Sequence, residues 1–148
     1  MSKIRRILHA TDFSRASGAA MAKAVELART NRAELLVVHV LSPVVPMAGD
    51  GYVSPRVYAD IEASARAAAG KQLARLVARA TRAGARVKSL LLDGIAHEQI
   101  VRAARSRRAD LIVIGTHGRT GLAKFFLGSV AGRVVTAAAC PVLTVRGR

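Results

Sequence analysis

Leu111-Ile112-Val113-Ile114-Gly115-Thr116-His117-Gly118 and, after nine intervening residues, Gly128-Ser129-Val130-Ala131-Gly132-Arg133-Val134-Val135 form the stretch on which the reading of this chain turns. The first four residues are a short continuous apolar run, the pattern of a strand buried on both faces. After Gly128 the apolar positions return at helical spacing. A strand that empties through glycines into a helix is an arrangement that cradles phosphate. Gly115 and Gly118 let backbone N–H groups approach an anion with no Cβ in the way. Gly128 and Ser129 add N–H groups and a hydroxyl at a helix start, where the dipole favours negative charge. The alternative is that the glycines serve only tight turns. Two separated glycine pairs, each at the end of a strand or the start of a helix, favour phosphate.

Outward from this stretch, strand-like and helix-like segments alternate. Ile4 to Ala10 reads as a first strand, followed by the turn residues Thr11-Asp12-Phe13-Ser14. Ser14 suits an N-cap, and a helix over 15–30 would bury Met21, Ala24, Val25 and Ala28. Asn31-Arg32 breaks it before a second strand over 33–41. Residues 42–53 hold Pro43, Pro46, Gly49 and Gly51 and read as a loop, long enough to suggest a functional role. A helix over 55–83, with Ala69, Leu73, Leu76, Val77 and Ala80 along one stripe, ends at Gly84. Then come a strand over 85–92, a helix over 96–107 with Ile100, Val101 and Ala104 inward, the strand at 111–115, a helix presenting Ala131, Val134, Val135 and Ala138 to the sheet, and a last strand at 142–145. The succession β-α-β-α-β-α-β-α-β with right-handed crossovers gives an α/β fold, an open parallel sheet of five strands with helices on both faces. At 148 residues the chain reads as a single domain, 1–148.

The spacing G-x2-G-x9-G-S resembles that of the ATP-binding universal stress proteins. The resemblance extends to Ala10-Thr11-Asp12-Phe13-Ser14 near the start and Cys140-Pro141-Val142-Leu143-Thr144-Val145 near the end, and so covers nearly the whole chain. It implies the strand order 3-2-1-4-5 of the adenine-nucleotide alpha-hydrolase-like fold. The reversal between the first and fourth strands would then make a crevice beyond their carboxyl ends. It further implies ATP as ligand, accompanied by Mg²⁺ or Mn²⁺, and a homodimer through Val142 to Val145, since an edge strand must be paired or covered. Ribose and phosphate contacts would fall on Gly115, His117, Gly118, Arg119, Gly128, Ser129 and Val130. Ala10, Thr11 and Val40 would contact the adenine, and Ile114 would add an apolar wall.

Asp12 matches the family's nucleoside-contacting carboxylate, able to accept from ribose hydroxyls or to help hold a metal beside phosphates. Asp-x-Ser is also ordinary helix-start chemistry, so a turn role competes. Arg119 offers a guanidinium to the distal phosphates, with solvent as the alternative, and Lys124 reads as surface. His9, His39 and His97 make no metal-ligand spacing with cysteine or paired carboxylates. The P-loop, G-x-G-x-x-G, G-x-S-x-G, H-E-x-x-H and C-x-x-C patterns are all missing. No residue reads as a catalytic base, so binding is better supported than turnover.

Composition sets the remaining bounds. No apolar run approaches the ~20 residues needed to span a bilayer, the start of the chain lacks the apolar segment of a secretory signal, and one cysteine, Cys140, suits a reducing compartment. The chain is expected in the cytoplasm. Lys and Arg total 24 against 9 acidic residues, a formal net charge of +15. Such an excess attracts polyanions, but the arginines are spread through predicted helices and loops. Their one tight cluster, Arg105-Ser106-Arg107-Arg108, falls where a helix C-terminus welcomes positive charge. With only 3% aromatic residues there is little to stack on bases, and a solvated surface is favoured over a nucleic-acid site. The function expected is that of a cytoplasmic, adenine-nucleotide-responsive switch in the stress response. The alternatives are a slow ATPase, a nucleotidyl or phosphoryl transferase, and a basic nucleic-acid-binding protein.

Overall fold

The apolar runs pair in parallel. In the computed structural model, which describes residues 3–43, 54–117 and 127–147, β1 (Arg6–Ala10), β2 (Glu34–Leu41), β3 (Arg86–Asp93), β4 (Leu111–Gly115) and β5 (Val142–Val145) form one sheet. Their order is β3-β2-β1-β4-β5, the expected 3-2-1-4-5. β1 lies between β2, with Leu8 beside Leu36, and β4, with Leu8 beside Ile112. Central β4 is continuously apolar, and β1 is apolar apart from Arg6 and His9, because helices cover both their faces. Ile7, Leu35, Val37 and Val113 point to the side covered by α1 (Arg15–Asn31) and α2 (Pro55–Arg82). Leu8, Leu36, Val38, Ile112 and Ile114 point to the side covered by α3 (Ala96–Ser106) and α4 (Ser129–Ala137). Burial of each such side chain contributes roughly 1.5–3 kcal/mol.

The helix-facing half of the core is mostly alanine: Ala20, Ala24, Ala28, Ala69, Ala80, Ala103, Ala104 and Ala131 are all buried. Small side chains bring the helix backbones close to the sheet, where Leu and Val from the strands fill the space. The helix ends follow local chemistry. Ser14 caps α1, its hydroxyl accepting from the Ser17 N–H, and Arg32 ends that helix in the left-handed conformation at φ 53°. Gly84, at φ +97°, turns the chain out of α2 into β3, a conformation that glycine adopts without strain.

The inward face of α4 differs from the expectation. Ala131 and Val134 are buried, but Val135 is 45% exposed, and Ala138 lies just past the helix, half-buried in extended backbone. Only nine residues long, α4 lays a narrow stripe on the sheet, and Val135, turned ~100° from Val134, falls outside it. In α2, Ala69, Leu73 and Ala80 are buried, whereas residues 55–68 contribute no buried side chain.

His9 is the polar residue at the centre of this core. It is fully buried, its Nδ1–H donates to the Val113 carbonyl at 3.0 Å, and its Nε2 has no partner among the described residues. Burial lowers its pKa to about 4, against smaller upward effects of the Val113 hydrogen bond and of Asp12. The unfolded chain takes up this proton near pH 6.5 and the folded chain only near 4, so acid favours unfolding across that window. Stability present above pH 6.5 should fall by about 3 kcal/mol on approach to pH 4, from this group alone. Urea unfolding at several pH values should show a shallower decline between pH 6.5 and 4.5 for His9→Leu than for wild type; parallel curves would refute the assignment.

Candidate functional site

Parallel strands deliver all their carboxyl ends to one end of the sheet, and the order in which strands are added reverses between β1 and β4. There a cavity of about 330 Å³ opens, within the size range of small-molecule sites. The end of β1 and the turn after it supply Ala10, Thr11 and Asp12; β2 supplies Val40; the end of β4 and the segment after it supply Ile114, Gly115 and His117; the start of α4 supplies Gly128, Ser129 and Val130. Ten of the twelve residues singled out from the sequence thus line one cavity. The other two, Gly118 and Arg119, lie outside the described residues, as do Lys124 and residues 44–53 of the long 42–53 loop.

The cavity has an apolar floor and a polar rim. Val38, Val40, Ile100 and Ile114 form the floor. At the rim two helices begin with no side-chain cap: α3 after Ile95, and α4 after Gly128. Their first N–H groups have no partner within the helix, and each helix presents the positive end of its dipole. Ala96 of α3 and Ser129, Val130 and Ala131 of α4 line the space directly. By contrast α1, which starts at the same end, is closed by Ser14.

Gly128 is held by a backbone constraint. Its N–H donates to the Thr116 carbonyl, and a Cβ built on it would stand 2.7 Å from that same oxygen. Any side chain there pushes on main chain, so glycine is required where the segment leaving β4 and the start of α4 close on each other. Gly115 is different. A Cβ there would face the first turn of α1, 3.5 Å from the Ala16 carbonyl oxygen and 3.7 Å from the Ser17 Cα. These are ordinary contact distances, so the protein itself does not force glycine at 115. These distances concern the protein's own packing; Gly118, the second glycine of the first pair, lies outside the described residues.

Around Asp12 the turn chemistry and the cavity coincide. Asp12 Oδ1 accepts from the Ser14 N–H at 2.9 Å while its residue lines the cavity, so the turn role is realised and does not remove Asp12 from the wall. Thr11 Oγ1 accepts from the Phe13 N–H at 3.0 Å and lies 3.1 Å from Ser17 Oγ, whose proton goes to the Ser14 carbonyl at 2.9 Å. That network holds Phe13 in the left-handed region at φ 63°, with its ring 4.3 Å from the His39 ring. His39 Nδ1–H donates to the Thr11 carbonyl at 2.7 Å. On the other wall Thr116 Oγ1 lies 2.9 Å from His117 Nδ1.

Ser17, His39, Thr116 and Ala96 also line the cavity and escaped the sequence reading. Ser17 lies on an apolar helix face, and His39 lies within β2 with no motif around it. Ala96 was legible only as a helix start, and Thr116 was overshadowed by its glycine neighbours. Among the described residues no cluster of three or more His, Cys, Asp or Glu exists to hold a metal. Burial pushes the Cys140 thiol up from its ordinary value, so no thiolate chemistry is indicated. No helix among the described residues is long and apolar enough to cross a membrane.

Comparison with known proteins agrees with this architecture. A universal stress protein of Thermus aquaticus is 38% identical over 142 residues, covering 96% of this chain and 98% of its own. The structure of a universal stress protein from Lactobacillus plantarum superposes with a TM-score of 0.84 at 25% identity, covering 99% of this chain and 100% of its own. A universal stress protein from Archaeoglobus fulgidus, solved in complex with dAMP, superposes with a TM-score of 0.65 at 27% identity over 98% of this chain and 100% of its own. A sequence model of the universal stress protein family matches residues 3–146, and the chain belongs to that family.

Proposed function

We propose that the cavity between β1 and β4 binds an adenine nucleotide, with ATP as the ligand, and that occupancy acts as a regulatory switch in the stress response. The observation that carries this reading is one cavity combining an apolar floor with two uncapped helix starts at its rim. A purine suits the floor at Val40 and Ile114, and a ribose suits the reach of Asp12. Phosphates suit the N–H groups after Gly128, an anion-favouring position. The dAMP complex of the Archaeoglobus relative supports the nucleoside part.

A divalent cation would accompany the phosphates. Mg²⁺ is commonly held by one or two carboxylates together with substrate phosphates, and Asp12 is the one carboxylate among the described residues that line the cavity. The same fact favours binding over hydrolysis, because that carboxylate already accepts from the Ser14 N–H and, among the described residues, no second one lines the cavity to act as a base. We place the protein in the cytoplasm on the grounds given by its sequence.

A homodimer through β5 completes the reading. The carbonyls of Pro141 and Val145 accept from the N–H groups of Ile112 and Thr116. By strand alternation, Val142 and Thr144 direct their N–H and C=O groups to the open edge. A second β5 would satisfy them.

Calorimetry of ATP–Mg²⁺ on nucleotide-stripped protein should give binding on the order of micromolar. Gly128→Ala should weaken it by about tenfold or more through displacement of the α4 start, and Asp12→Ala should weaken it too. Arg56→Gln, a surface control, should leave it unchanged. Equal affinity for all four proteins, each with native circular dichroism, would sink the assignment.

Thr144→Pro removes one outward N–H while sparing the bonds to β4. It should convert a dimer to a monomer on size-exclusion chromatography with light scattering. An unaltered mass would exclude this interface.

A further inference from the structure

The charge that is diffuse along the sequence is gathered by the fold. In a parallel sheet every helix C-terminus and every strand start lies at the end opposite the cavity. There α1 finishes with Arg29 and Arg32, and α2 with Arg79 and Arg82. α3 finishes with Arg105, Arg107 and Arg108. The strand starts bring Arg5 and Arg6 at β1 and Arg86 and Lys88 at β3.

Contacts tie these groups into one surface. Arg6 reaches both Glu34 and the Arg107 carbonyl, Lys88 lies 3.5 Å from Glu34, and Arg86 donates to the Arg32 carbonyl at 2.9 Å. Two carboxylates share this end. Glu34 is engaged by Arg6 and Lys88, and Asp110 accepts from the N–H groups of Arg5 and Arg6. The cavity end carries Asp12, Asp93 and Glu98 together with Arg15, Arg56, Arg146 and Arg66, which pairs with Asp93, so charge there is close to balanced among the described residues. The molecule is thus electrically polarised along its strands. Helix dipoles account for a cation in each last turn; they do not call for arginines and a lysine on the strand starts, nor for three arginines after one short helix.

We propose that this basic end is a docking surface for the phosphate backbone of a nucleic-acid duplex, bound without regard to sequence. The cations are arginines with a single lysine, and the guanidinium fork fits phosphate oxygens. No aromatic side chain lies among these residues, so there is no platform for unpaired bases, and a duplex is favoured over a single strand. The exposed large apolar side chains of the described residues are Val57, Ile61, Ile95, Leu127, Val130 and Val135. Of these only Val135, in the last turn of α4, falls at a helix C-terminal turn or strand start, and a single valine gives this end little to insert into a lipid surface.

Four adjacent strand starts span ~14 Å, and helix ends on both faces widen the surface to ~20 Å. That area meets about five phosphates of a duplex. The proposal does not rest on nucleotide binding, which concerns the opposite end.

The test is fluorescence anisotropy on a duplex of about 20 base pairs of arbitrary sequence, titrated with the protein at several salt concentrations. The logarithm of affinity should fall with the logarithm of salt at a slope of about −4 to −5, a loss of several hundredfold between about 50 and 200 mM salt. Replacing Arg29, Arg82 and Arg105 together by Gln should weaken binding about tenfold or more at fixed salt and flatten the slope by about 2–3. Replacing Arg56, Lys71 and Arg133 by Gln removes the same charge elsewhere and should change both far less. Saturating ATP should not displace the duplex.

Equal losses in the two triple variants would reduce the effect to net charge and overturn the proposal. So would displacement by ATP, tighter binding to a single strand, or binding to phosphatidylserine vesicles but not to DNA. If ATP fails to bind at all, the duplex measurement stands unaffected, so the two assignments fail separately.

Discussion

All five strands run the same way, and nearly every other property of this molecule follows from that constraint. A right-handed crossover must carry the chain from the carboxyl end of one strand back to the amino end of the next, with a helix as the return. Every helix therefore starts beside the strand exits and finishes beside the strand starts. Unpaired N–H groups collect at one end of the sheet and unpaired C=O groups at the other. The sequence answers both conditions. At the first end α3 and α4 are left uncapped over an apolar floor; at the second, arginines follow α1, α2 and α3.

The reversal between β1 and β4 converts this polarity into a site. Adjacent crossovers leave in opposite directions there, α1 and α2 to one face, α3 and α4 to the other, so no connection closes the gap. What shapes the gap is backbone more than side chain. The Thr116 carbonyl occupies the space a Gly128 side chain would need, and the Thr11–Ser17–Ser14 hydroxyls fold the β1 exit under the start of α1. One residue before the cavity wall on β1 lies His9, a polar ring buried in the core whose pKa is lowered by loss of solvent.

The strands and helices were legible in the sequence because each has one dominant signal. Leu35-Leu36-Val37-Val38 is too apolar to be anything but doubly covered, and Ser14, Arg32 and Gly84 stand where helices begin or end. The strand order was not legible from periodicity, since a parallel strand looks the same at the centre of a sheet as one position away; it came from resemblance. Residues in the turn after β1 and in the glycine stretch were found because they sit in runs with a recognisable spacing. Ser17, His39 and Thr116 were not, because their place in the wall depends on which strand lies next to which. Val135 was misjudged as core because periodicity reports the direction of a helix face but not the width of its stripe. The gathering of the charge by the fold was hidden for a related reason. Positions some fifty residues apart, such as Arg32 and Arg86, touch only after the sheet has formed.

The pairing of β1 with β4 joins residues about a hundred positions apart, His9 beside Val113 for example. Contacts between neighbouring elements, β1 with β2 and β2 with β3, close much shorter loops. Loop closure is entropically costly before such distant contacts can reward it. During synthesis the first three strands and their two helices leave the ribosome well before β4, so β1 waits with one apolar edge bare. The edge that waits longest is the one β4 later covers beside the cavity, and a chain halted before residue 111 would expose it as a template for aggregation.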